Sequence, residues 1–117
     1  MRDHRKLQVF QLADALALLV YRETKSFPRE EMFGLVSQMR RCAVSAPANI
    51  VEGCARETDR DCDRFFTMAF GSLRELGYYI SLSERLEYFH RSEATRLEKL
   101  QGRTAAALTA LMRSRKP

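Results

Sequence analysis

Glu87 and His90 stand three residues apart, the spacing of a carboxylate–imidazole pair that holds iron in helical bundles. Such a centre needs two of these pairs and two more inward glutamates. This chain offers one pair, at an expected helix end, so no metal centre is expected. Asp59, Asp61 and Asp63 begin like a calcium loop, but its sixth position would be Arg64 instead of glycine and its twelfth Phe70 instead of glutamate. They read as first-turn acids that complement a helix dipole. Two histidines, His4 and His90, assemble no Ser/His/Asp or Cys/His constellation. The five glycines are dispersed and make no phosphate loop. The residues predict no catalytic activity and no cofactor.

Asn49 and Glu52 lie three apart beside an apolar stripe, in the stretch SAPANIVEG from Ser45 to Gly53. Polar groups there are costly unless hydrogen-bonded. Ser72 and Glu75 have the same spacing further along and could complement them on a facing helix. Ser45, Asn49, Glu52, Ser72 and Glu75 are thus expected to form a structural polar network. The competing reading, a binding or catalytic site, lacks a nucleophile, histidine or second carboxylate next to the first pair.

Positive charge is the other chemical signal. The net charge is +5, with seven Lys/Arg against two Asp/Glu over residues 89–117. Arg91, Arg96, Lys99 and Arg103 follow at spacings of five, three and four, which favours one helix face. Arg113, Arg115 and Lys116 extend that charge, and Arg40, Arg41, Arg56 and Arg64 make a second candidate patch. A cationic helix face can hold phosphates without reading sequence. The competing reading is a helix with a merely solvated cationic face.

The elements that must position these residues read as helices. The chain has 117 residues, 45% hydrophobic and 30% charged, with three prolines, so one domain with short connections is expected. Val9, Ala13, Leu16 and Val20 mark a first helix over about residues 5–24. Ser26, Phe27 and Pro28 punctuate, and a second helix is expected over 29–56. Its stripe, Met32, Val36, Met39, Ala43, Ala46 and Ile50, keeps phase across Pro47. A kinked continuous helix is favoured over a break near Ser45. Thr58 caps a third helix over 59–88, in which Gly71 and Gly77 suggest close approaches. Ser92 caps a fourth over 93–113. The result is an all-α, antiparallel up-down four-helix bundle. Cys42, Cys54 and Cys62 contain no C-x-x-C pair and suit thiols in a reducing compartment. The longest apolar run, ALALLVY, is too short to cross a bilayer, and no signal peptide is read, so a cytoplasmic location is expected. Phe10, Phe33, Phe70, Tyr78, Tyr79 and Tyr88 exceed what a thin core needs, and some are expected at subunit contacts.

FPREEMFGLVSQMRRCAVSAPANIVEG, followed by FGSLREL, resembles the four-helix bundle family of proteins encoded in intervening sequences of large-subunit ribosomal RNA genes. The likeness runs from about Leu7 to Tyr88. The accessory protein of diversity-generating retroelements is similar. The resemblance implies a ring-like homopentamer, with RNA, DNA or a reverse transcriptase as possible partners and no membrane. Two functional readings follow: a non-enzymatic scaffold or accessory that binds nucleic acid through basic surfaces, or a protein–protein interaction module that binds none.

Overall fold

The computed structural model describes residues 2–114. Four α-helices, with no strand among the described residues, pack around one apolar core: α1 (Gln8–Glu23), α2 (Leu35–Cys54), α3 (Asp59–Arg85) and α4 (Arg91–Ser114). Each helix packs on its neighbour in the chain, and α1 also packs on α4, which closes the circuit. The most extensive contact is between α2 and α3.

The apolar stripes form this core. Val9, Ala13, Leu16 and Val20 of α1 are buried, and so are Val36, Met39, Ala43, Ala46 and Ile50 of α2. Phe66, Ala69, Leu73, Leu76 and Ile80 of α3 and Leu97 and Leu108 of α4 complete it. Leu100 and Leu111 are half-buried against its edge. α2 passes through Pro47 without a break.

The helix ends depart from the expected ranges for identifiable reasons. The second helix begins at Leu35, six residues beyond the expected start at 29, after a 3-10 turn over Arg29–Glu31. The Glu31 carboxylate reaches forward, accepts the Leu35 N–H at 3.2 Å, and also accepts the Tyr88 hydroxyl at 2.9 Å. Met32 therefore sits before the helix and is exposed, outside the stripe assigned to it. α3 stops at Arg85 instead of 88, because the chain closes a Schellman turn there. Tyr88 N–H donates to the Ser83 carbonyl and Glu87 N–H to that of Glu84, with Glu87 in the left-handed region at φ 65°. α4 begins at Arg91, ahead of the expected cap Ser92. Its start is held by the Glu93 carboxylate, which accepts the His90 N–H at 3.0 Å. Thr58 caps α3 as expected, accepting from Asp61 N–H at 3.1 Å.

The close helix–helix approach expected at Gly77 is present, a Cβ there standing 3.1 Å from the Gln101 side chain of α4, but the tightest is at Gly53, which the sequence did not single out. A Cβ there would stand 2.7 Å from the Phe66 ring and 3.2 Å from the Cys62 carbonyl oxygen. Gly71, where a close approach was expected, has nothing within 4 Å of such a Cβ. Gly53→Ala should therefore cost about 1–3 kcal/mol in urea unfolding, since α2 and α3 must part. Gly71→Ala should add up to about 1 kcal/mol. Equal effects of the two substitutions would contradict this packing.

Candidate nucleic-acid interface and the polar seam beside it

α2 and α3 are joined by a hydroxyl pair. Ser45 Oγ and Ser72 Oγ are 2.8 Å apart, and the Asn49 amide donates to Ser45 Oγ at 3.1 Å and to the Ser45 carbonyl at 2.9 Å. Ser72 Oγ also lies 3.2 Å from the Met68 carbonyl. The expected network thus has a centre made of Ser45, Asn49 and Ser72. Glu52 is not in it: it points outward and pairs with Arg56 at 3.1 Å. Glu75 borders the seam and accepts the Tyr79 hydroxyl at 2.8 Å.

Gln38, Arg41, Cys42, Ser45, Ser72 and Glu75 line a polar notch of about 190 Å³. Burial pushes the Cys42 thiol up to about 12, and a hydrogen bond to the Glu75 carboxylate adds to this. The same carboxylate lies below its ordinary range, chiefly through the Tyr79 hydroxyl and then through Cys42. A thiol held neutral is a poor nucleophile and a poor metal ligand. Among the described residues no group of three or more His, Cys, Asp or Glu could hold a metal ion.

The candidate cations fall into two groups. The first is engaged within the chain. Arg40 donates to Thr24 Oγ1 at 3.0 Å and to the Tyr21 carbonyl at 3.3 Å, and its guanidinium lies over the Tyr21 ring. It is a C-terminal cap for α1, supplied from α2. Arg56 pairs with Glu52, and both Arg56 and Arg64 lie 4.7 Å from the centre of the Phe65 ring. Arg91 pairs with Glu84 at 2.7 Å, and Arg96 stands 4.0 Å from Glu23. The second group, Lys99, Arg103 and Arg113 on α4 and Arg41 on α2, is exposed and makes no ion pair among the described residues. Arg115 and Lys116 lie outside the described residues. The sequence could not separate these groups, because Arg40 meets its partners 16 and 19 positions away. Arg74 of α3 is also exposed and without an ion pair among the described residues; the sequence gives no sign of it, because its own segment carries more acids than bases.

The aromatic surplus also divides. Phe33 is 92% exposed and Tyr78 57%, whereas Phe10, Phe70, Tyr79 and Tyr88 pack against the core. Tyr21, Met32, Phe33 and Val44 border an open groove of about 580 Å³ between α1 and α2. No helix among the described residues is long and apolar enough to cross a membrane.

The sequence model described as 23S rRNA-intervening sequence protein matches residues 5–110. The chain also resembles the crystal structure of a protein of unknown function from the S23 ribosomal protein family of Bacteroides thetaiotaomicron. The two are 21% identical, with a TM-score of 0.83 over 90% of this chain and 95% of that one. At this identity the likeness is one of fold. No curated protein matches.

Two outcomes test the seam. Ser72→Ala should cost about 1 kcal/mol in urea unfolding. Adding Ser45→Ala should cost less than the sum of the single effects, because the two share one bond. Between its ordinary value of 9.0 and about 12, Cys42 keeps a proton in the folded chain that the unfolded chain releases. This group's contribution to stability is therefore flat below that window and falls as pH rises through it. Alkylation of Cys42 by iodoacetamide near its ordinary value should be much slower in native than in urea-unfolded protein.

Proposed function

Because the chain belongs to the 23S rRNA-intervening sequence protein family, we propose that it is a non-enzymatic oligomeric scaffold or accessory that binds nucleic acid through basic surfaces, α4 above all. The observation that carries this reading is the set of exposed α4 cations, Lys99, Arg103 and Arg113, that make no ion pair among the described residues. Unpaired cations are available to displace counterions from a phosphate backbone, whereas Arg40 and Arg56 are held by their own chain. Arg91 and Arg96 flank the set and reinforce its potential despite their acidic neighbours.

In this reading the four helices form one antiparallel up-down bundle with a bend at Pro47. The paired bonds Gln101 to Leu73 and Arg91 to Glu84 support opposite directions for α3 and α4. The bundles associate as a ring of identical subunits in the cytoplasm. The groove bordered by Tyr21, Met32, Phe33 and Val44 is the surface offered to a second copy, since a side chain as exposed as Phe33 does nothing for its own fold. That same groove favours the second reading, a protein-interaction module without nucleic acid.

Substituting Arg96, Lys99 and Arg103 by glutamine separates the two. The proposal expects RNA affinity to drop and the slope of log affinity against log salt to flatten by roughly 2, with the oligomer intact. Anisotropy titrations between roughly 50 and 200 mM salt measure this. Wild-type binding that ignores salt over that range contradicts it. Phe33→Asp should dissociate the assembly in analytical ultracentrifugation while helical circular dichroism is unchanged.

A further inference from the structure

We propose that the outer face shared by α3 and α4 is a track for single-stranded RNA, in which Arg74 joins Lys99, Arg103 and Arg113 in holding phosphates and Tyr78 stacks on a base. The inference rests on the nucleic-acid reading above and specifies its ligand and its site.

Two bonds set the register of the helices. The Gln101 amide donates to the Leu73 carbonyl at 2.8 Å, and Arg91 meets Glu84 at 2.7 Å. Residue 101 thus stands level with residue 73, and residue 91 with residue 84. Counting along two antiparallel helices, Arg74 falls between the levels of Lys99 and Arg103. All three are exposed, and none makes an ion pair with a carboxylate among the described residues. Arg113 lies further along α4, toward its end. Glu98 adjoins Lys99 in the chain, and its field acts on Arg91. Glu75 is turned to the other side of α3, where it accepts the Tyr79 hydroxyl.

Tyr78 follows Arg74 by one helical turn and so shares its face. The residue is 57% exposed, its hydroxyl makes no hydrogen bond among the described residues, and its ring centre lies 5.8 Å from that of Tyr79. An aromatic ring standing among unpaired cations has the composition of a stacking platform. The ligand's strandedness follows from shape. Bases in a duplex are stacked on one another and cannot reach a ring on a helix surface. Neither helix projects an element that would enter a groove. A single strand can lay phosphates along the cations and turn one base onto Tyr78. Gly71 and Gly102 leave the surface open between them, with nothing within 4 Å of a Cβ on either.

The test uses the full chain, an unstructured single-stranded RNA, and the same strand annealed to its complement, titrated by anisotropy over a salt series. Tyr78→Ala should weaken strand binding by roughly ten-fold with an unchanged salt slope, and Tyr78→Phe should retain it. Arg74→Gln should flatten the slope by about 0.7. Single strand should bind tighter than duplex. If Tyr78→Ala binds as wild type, or duplex binds as tightly as strand, the track is wrong while salt-dependent binding keeps the nucleic-acid reading alive. If neither RNA binds in a salt-dependent way, both fall.

Discussion

The contact between α2 and α3 is the constraint on which the rest of the structure depends. Phe66 lies over Gly53 so closely that no side chain fits between them, and about two turns away the two helices are pinned by Ser45 and Ser72. A tight steric contact near one end and a hydrogen bond further along fix both the distance and the register of the pair. The steric contact sets separation because carbon atoms in van der Waals contact do not yield. The hydroxyl pair sets register because a hydrogen bond weakens quickly with misalignment. With α3 placed, its outward residues, Arg74 and Tyr78 among them, have no choice of direction. α4 then docks through Gln101 and the Arg91–Glu84 pair.

The core was legible in the sequence because it is written with a single period. Apolar residues at helical spacing mark the same faces that the structure buries, and Pro47 did not disturb the phase. The helix ends were less legible because they are set by side chains that act at a distance. Glu31 caps α2 from upstream and is itself held by Tyr88, 57 positions later. Glu93, not Ser92, organises the start of α4. Gly53 looked like one more residue of a motif, and only the facing Phe66 explains it.

The charged surface shows the same limit in a different form. A count of arginines treats all of them as available, but the fold has already used several. Arg40 closes the end of α1, and Arg56 is spent on Glu52 and Phe65. Among the described residues a smaller set of these candidates makes no ion pair, Arg41 on α2 and Lys99, Arg103 and Arg113 on α4, and Arg74 of α3 joins it although the net charge of its own segment is negative. Composition located the basic segment, and tertiary pairing decided which of its charges can meet a ligand. The polar seam is the reverse case. Ser45, Asn49 and Ser72 satisfy one another, and Cys42 is kept neutral by burial and Glu75, which is the chemistry of a structural joint.

The central claim is that this bundle assembles and carries nucleic acid. Size-exclusion chromatography with light scattering, run at low salt with and without a short RNA, addresses both halves at once. The account predicts a particle several times the mass of one chain that gains mass when RNA is added. A monomer, or an assembly whose mass RNA leaves unchanged, would contradict it.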